Sequence, residues 1–438
     1  MTSKFQGKCF LSSQTFFGAN HRLLLVILCC IITVMHGRAQ VVEDDLFDAN
    51  DSTDTDSVWV DSLITHNDTL LWPQNVQRDI DDLLKHDMFQ TSQVGIMVWD
   101  LDADSAIYQR NQRQLMRPAS TMKVITAITA LDRLGGSYQF KTELCYTGKV
   151  DSCVLSGDIY CVGGFDPRFN SDDMRAFLEG LHKMGIDTIR GSLYADKSMK
   201  DSDLYGEGWC WDDDNPQLSP LLISRKDEFV TRFYSELRKA GIYLTGTIGE
   251  KSKPNDANCI VMRFHTIDQI LMRMLKESDN LYAESMFYQI AAASGSRPAN
   301  ARNARTIMKQ LTNKLGLDAS RYMFADGSGL SLYNYVSPEL EVRFLKYAYE
   351  NGHIINHLLP ALPIAGVDGT LKKRMRSEFT RNNVKAKTGT VAGISSLCGY
   401  LTAANGHHLC FSIINQGIMH SNNGRRFQDM VCSILCKP

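Results

Sequence analysis

The sequence predicts an α/β protein, α+β in arrangement, with helices packed on an antiparallel sheet and a β-rich insertion splitting the unit. Three observations carry that prediction. Apolar residues recur at helical spacing on both sides of the middle of the chain. Two β runs near the C-terminus are joined by a turn, and between residues 143 and 264 the texture changes to short β-like runs separated by Gly and Asp.

The chain has 438 residues, enough for two domains around a sizeable core. It is 44% apolar and 22% charged with a formal net charge of −2, so it carries no electrostatic footprint for nucleic acid. Lys4, Lys8 and Arg22 precede an apolar run from Leu23 to Met35, and Gly37 and Ala39 offer small residues for cleavage before Gln40. Residues 1–39 therefore read as a signal peptide, since the run falls short of the roughly 20 apolar residues that span a bilayer. The protein is expected outside the cytoplasm, in a periplasm or on the wall face; contact with a membrane face stays open. Cys145, Cys153, Cys161, Cys210, Cys259, Cys398, Cys410, Cys432 and Cys436 would remain after cleavage. Their spacing contains no C-x-x-C pair and argues against zinc, while export permits disulfides that the sequence does not assign.

Residues 40–72 form an acidic, Ser/Thr-rich linker. The first part of the folded unit, 73–142, opens with Val76, Ile80, Leu83 and Leu84 on one helical face. A hairpin follows, Val94 to Asp100 and Ala106 to Tyr108 around Asp102-Ala103-Asp104-Ser105. Pro118 stands where a helix would start, and Met122 to Leu131 is so apolar that the helix must be buried. The insertion spans 143–264. The second part, 265–438, resumes helical spacing at Ile267, Ile270, Leu271, Met274 and Leu275, and again at Ile307, Leu311 and Leu315. Lys385 to Leu401 and His407 to Asn415 read as two strands joined at Ala403-Ala404-Asn405-Gly406, before a closing helix from Gly424 to Cys436.

Three short motifs carry chemistry. In Ser120-Thr121-Met122-Lys123 the i, i+3 spacing on a helix lets the amine reach the hydroxyl. A Lys desolvated against an apolar helix can lose its proton near neutral pH and activate the Ser. Ser278-Asp279-Asn280 lies between two helical stretches, where a hydroxyl and an amide could enter a cleft; the same residues also make a plain helix N-cap. Lys387-Thr388-Gly389-Thr390 opens a β run, with positive charge for a substrate carboxylate and a Gly that lets an extended substrate lie alongside. The N–H groups of Ser120 and Thr390 could form an oxyanion hole. Strict alternation puts Thr388 opposite Lys387, so a twist or bulge is needed to bring its hydroxyl in. Each motif alone is weak, because about one S-x-x-K is expected by chance. Their order and local settings make the set specific.

The chain resembles the low-molecular-mass penicillin-binding proteins of the S13 peptidase family. The matching segments are Arg117 to Lys123, Gly163-Gly164-Phe165-Asp166-Pro167, Gly208-Trp209-Cys210-Trp211-Asp212-Asp213, Asp326 to Ser331, Leu362 to Thr370 and Lys387 to Thr390. The resemblance implies a transpeptidase/β-lactamase-like fold and a D-Ala-D-Ala carboxypeptidase/endopeptidase acting on peptidoglycan stem peptides. Ser120 would be acylated, by substrate or by β-lactams, with Lys123 as base and Ser278 and Lys387 relaying the proton. Asn280 would hold the substrate amide, Thr388 and Thr390 the terminal carboxylate, and Asp166 a free amine of the stem peptide; Asp166 also reads as a turn residue before Pro167. No metal or organic cofactor is implied. Relatives often carry a basic residue after D-G-S-G-L-S, where this chain has Leu332, and the gap between Ser120 and Ser278 is short for the family. A β-lactamase or a catalytically weak wall-binding, penicillin-sensing protein are the alternatives; no E-x-x-L-N pattern supports the first, and a pure binder has no need of a nucleophile.

Overall fold

The computed structural model describes residues 70–210, 213 and 215–437; the expected signal peptide and most of the expected acidic linker lie outside them. No helix among the described residues is long and apolar enough to cross a membrane. Helix α1 (Gln74–Leu83) buries Val76, Ile80 and Leu83, the face the spacing predicts. Strands β1 (Gln93–Asp100) and β2 (Ser105–Arg110) form the expected hairpin. A 3-10 turn, Ala119–Thr121, leads into α2 (Met122–Leu134), and every residue from Met122 to Leu131 is buried.

The chain then enters a second sheet through β3 (Gln139–Tyr146). β4 (Lys149–Asp151), β5 (Val154–Ser156) and β6 (Ile159–Gly163) follow, then α3 (Ser171–Lys183), β7 (Thr188–Ile189), β8 (Leu193–Asp196) and α4 (Phe229–Lys239). β9 (Tyr243–Leu244), β10 (Ile248–Glu250) and β11 (Asn258–Thr266) complete the segment. Strand order is β10-β8-β6-β3-β11 in one sheet and β4-β5-β7-β9 in another. β3 and β11 pair antiparallel, so the chain enters and leaves side by side. We read 143–264 as an inserted domain because these sheets enclose their own core, from Leu144 through Phe177 to Ile242.

The β-like texture of this segment hides two helices. Helix α3 starts at a capping box, Asn170 with Asp173, and buries Met174, Phe177 and Leu181 at helical spacing. Its Phe177 meets Phe169, Phe229 and Phe233, with ring centroids 5.4, 6.1 and 6.0 Å apart.

After β11 the chain becomes helical: α5 (Ile267–Lys276), α6 (Asn280–Ala292), α7 (Ala301–Lys314), α8 (Pro338–Glu350) and α9 (Gly352–Ala361). Most of them surround α2 in one apolar core. The final elements are β12 (Lys385–Val391), β13 (Ile394–Thr402), β14 (His408–Gln416) and α10 (Ser421–Cys436). The run from Lys385 to Leu401 is thus two strands, not one. Ala392-Gly393 reverses the chain, with Gly393 at φ 74°, a conformation that Gly adopts at little cost. The sheet order is β12-β13-β14-β1-β2, antiparallel throughout. Helix α8 packs against β14 and β1, while α1 and α10 pack together, α10 also lying on β13. Covered in this way, β13 is buried at every residue from Ile394 to Leu401.

Phe177→Ala would empty the centre of the insert's ring cluster. It should cost about 3–5 kcal/mol, read as a lower urea midpoint. An unchanged midpoint would show that the insert's core does not rest on this cluster.

Candidate active site

The three motifs meet, and each pair of them is in contact. Lys123 Nζ donates to Ser120 Oγ at 2.9 Å and to Asn280 Oδ1 at 2.7 Å, joining the first motif to the second. Lys387 Nζ donates to Ser278 Oγ at 2.9 Å, joining the third to the second. A Cβ built on Gly389 would lie 2.8 Å from Pro118 O and 2.9 Å from Ser120 N, so the third motif's strand presses on the serine turn.

Local structure explains how each group is aimed. Ser120 sits in the 3-10 turn, after Ala119 held at φ 49°. Ser278 itself is at φ 60°, between α5 and α6. Both conformations are unfavourable for residues other than Gly, and such strain clusters at functional sites. The capping role of the second motif also holds: Asp279 caps α6 by accepting from Leu281 N. Capping and chemistry fall on different residues of one tripeptide. Ser421-Asn422-Asn423, which repeats the S-x-N pattern, opens α10.

The amine of Lys123 is fully buried, and burial pulls it down to about 8. Asp326, then Glu284 and Asp279, oppose that fall. Its third partner is Ser328 O, at 2.8 Å. Asn280 Oδ1 and the Ser328 carbonyl can only accept hydrogen bonds. They therefore occupy two N–H groups of a neutral amine and leave its lone pair directed at Ser120 Oγ. An amine so held can act as a general base for that hydroxyl.

The loop carrying Ser328 is fixed by two buried carboxylates. Asp326 accepts from Gly329 N (2.7 Å), Ser331 N (2.8 Å), Asn334 Nδ2 (2.8 Å) and Trp209 Nε1 (2.8 Å). Glu284 accepts from Gly327 N (3.0 Å) and Ser328 N (2.8 Å). Burial, with Asp326 next, pushes Glu284 up to about 8. Gly329, at φ 82°, brings the loop so close that a Cβ would fall 1.8 Å from Ala119 O.

On β12 the structure departs from the sequence reading. The strand pairs with β13 in unbroken register, without the bulge that Thr388 was expected to need. Lys387 and Gly389 are buried while Thr388 is half-buried and Thr390 exposed, so the two threonines share the open face. The Thr388 hydroxyl donates to Thr370 Oγ1 at 2.8 Å. Gly389 is required by the serine turn behind it, in addition to any substrate in front. Asp166 is turned inward: its carboxylate is wholly buried, 2.7 Å from His265 Nδ1, and accepts from Arg168 N. That is its turn role before Pro167, and it leaves no free oxygen facing solvent for an amine.

Sequence reasoning missed Glu284, Asn215 and Thr370 as members of the site. Asn215 Oδ1 accepts from Asn280 Nδ2 at 3.2 Å, reaching the site from the insert. Asp326 and Thr370 lie in segments already noted; Glu284 and Asn215 give no local signal.

The family model described as D-Ala-D-Ala carboxypeptidase 3 (S13) matches residues 76–226 and 223–436. The D-alanyl-D-alanine carboxypeptidase DacB of Haemophilus influenzae is 27% identical over 405 residues, covering 73% of this chain and 84% of that protein. A D-alanyl-D-alanine carboxypeptidase from Actinomadura sp. is 26% identical over 440 residues, covering 78% and 81%. The crystal structure of penicillin binding protein 4 (dacB) from H. influenzae superimposes with a TM-score of 0.75 at 25% identity, over 82% of this chain and 99% of that one. Its complex with a novel β-lactam gives a TM-score of 0.69.

Gly389→Ala would drive a methyl group into Pro118 O and Ser120 N, both backbone atoms. The variant should lose about 1–3 kcal/mol of unfolding free energy. Wild-type stability in a denaturant titration would show that the contact is slack.

Proposed function

The chain belongs to the D-Ala-D-Ala carboxypeptidase 3 (S13) family, and we propose that it works through an acyl-enzyme on Ser120. It is a penicillin-binding serine carboxypeptidase that acts on peptidoglycan. The observation that carries the proposed mechanism is the buried Lys123 amine, 2.9 Å from Ser120 Oγ with acceptors at its other two sides.

Ser120 Oγ attacks the carbonyl of the penultimate D-Ala while Lys123 takes the hydroxyl proton. The N–H groups of Ser120 and Thr390 receive the developing oxyanion. Asn280 keeps one N–H for the substrate backbone while the other meets Asn215. Thr388 and Thr390, on the open face of β12, receive the terminal carboxylate. Collapse of the tetrahedral intermediate breaks the C–N bond, and Ser278, backed by Lys387, delivers a proton to the departing D-Ala amine. Water then attacks the ester, with Lys123 again as base, and frees Ser120. β-Lactams enter by the same attack, their opened ring remaining on Ser120. Leu332 stands 42% exposed where relatives often place a basic residue, so no cation at that position selects the stem-peptide side chain. The run Leu23 to Met35 with Gly37 and Ala39 supports export, to a periplasm or the wall face.

A fluorescent penicillin should give a stable mass adduct on the wild type and none on Ser120→Ala. Rapid turnover of the drug would favour a β-lactamase, and no adduct on either protein would leave only a binding role.

The free amine of Lys123 is the active base, so acylation should rise with pH through about 8 and level off above it. Glu284→Gln keeps an acceptor for Gly327 N and Ser328 N and removes a group that, itself at about 8, carries part of a negative charge over the range in which Lys123 titrates. The rising limb should move to lower pH by a fraction of a unit. A limb that stays in place would assign it to another group.

A further inference from the structure

We propose that Cys145 and Cys259 form a disulfide that staples the neck of the inserted domain. The two residues lie directly opposite one another in the β3–β11 pairing, so their side chains project from the same face. Their sulfurs and a Glu143 carboxylate oxygen all lie within 4.8 Å of one another. Opposed residues on antiparallel strands have Cα atoms about 4.5–5.5 Å apart, inside the range a disulfide spans.

The other cysteines do not share this arrangement among the described residues. Cys398 faces Ser412 and Cys410 faces Tyr400 across β13 and β14. Cys161 faces Leu144, and Cys432 and Cys436 are successive turns of α10. All nine described cysteines are thiols in this structure.

The position gives the bond a purpose. β3 carries the chain away from α2, which holds Lys123, and β11 runs straight into α5, which ends beside Ser278. Residues 146–258 lie between the two sulfurs, so one bond closes nearly the whole insert into a loop. β11 is an edge strand with much of its length exposed, and its pairing with β3 is broken by an irregularity between Cys259 and Val261. Cross-linking holds this irregular edge of the sheet and constrains the unfolded chain.

The oxidant is an external disulfide, of a small thiol or of an exported oxidoreductase. The exposed Cys259 attacks as thiolate and expels one thiolate, leaving a mixed disulfide. Cys145 then attacks Cys259 Sγ and expels the second thiolate, its own proton passing to Glu143, whose Oε2 lies 3.9 Å away. Two electrons pass to the external disulfide, and the two thiol protons end on its products or in solvent.

The bond rests on the export reading, because a reducing compartment would keep both thiols. The test therefore has two arms on the mature chain. Protein isolated from the exported fraction without reductant is alkylated before and after reduction and mapped by peptide mass. Purified, reduced protein is separately exposed to oxidised glutathione. Both samples should yield a Cys145–Cys259 linked peptide lighter by two hydrogens than its halves. Cys259→Ser should free Cys145 for labelling and lower the thermal midpoint by about 5 °C while keeping the penicillin adduct. Linkage with glutathione but full labelling of the exported sample would show thiols able to pair yet left reduced outside the cytoplasm and would overturn the disulfide. Absence of the chain from the exported fraction would overturn the export reading instead. Full labelling in both arms, pairing with other cysteines, or a co-purified divalent metal that shields both thiols would overturn the disulfide.

Discussion

The site is organised around one cost, a lysine amine held out of water beside a serine. A cation removed from solvent loses hydration that few protein contacts replace in full. Lys123 has three oxygen partners and two buried carboxylates behind them, enough to keep it folded inward. They do not restore its solution basicity. The remaining deficit lowers the amine towards neutrality, and that deficit is what makes it a base. A fourth acceptor, or open water, would stabilise the ammonium and weaken the chemistry.

Holding the amine this way dictates the neighbouring backbone. The Ser328 carbonyl must reach Nζ, so its loop crosses the serine turn at a distance only Gly329 allows. From the other side β12 closes on the same turn, and Gly389 is the residue that lets it. Ser120 is thus clamped between two chain segments that each lack a Cβ at the contact. Ala119 is held at positive φ between them. The strain is sustained because the buried helix α2 and the fully covered strand β13 leave the turn nowhere to relax.

What was legible in the sequence follows from how local each constraint is. Ser120 and Lys123 are one helical turn apart, so their contact is written in the spacing itself. The buried character of α2 was equally plain, since Met122 to Leu131 has no polar face. Ser278 and Asn280 could be placed by order along the chain, although the same letters spell an N-cap; Asp279 makes the cap, while Ser278 and Asn280 meet Lys387 and Lys123. Glu284 was invisible because it is one acid in a helix, and its partners, Gly327 and Ser328, are met only after folding. Asn215 was hidden for the same reason. The hairpin at Ala392-Gly393 was lost because its turn is built from Val391, Ala392, Gly393 and Ile394, small and apolar residues without the Asn, Asp or Pro that mark turns elsewhere. Asp166 carried two readings, and the structure favours the turn residue over the amine partner. A motif match suggested an open carboxylate, whereas His265, ninety-odd residues away, takes it inside.

The insert does more than lengthen the chain. It sends Trp209 to Asp326, the carboxylate that shapes the Ser328 loop, and Asn215 to Asn280, the amide that shares Lys123. The Asn215 contact ends on one of the two acceptors of Lys123, and the Trp209 contact on the carboxylate that fixes the loop carrying the other. A displacement of the insert would therefore be felt at Nζ without any change in the three motifs. The anchorage of this segment at β3 and β11 thus bears on the geometry around Lys123. The strands that tether it also adjoin α2, which bears Lys123, and α5, which ends just before Ser278. What passes between the two is confined to these two hydrogen bonds, while the burial of Lys123 itself is supplied by the helices around α2.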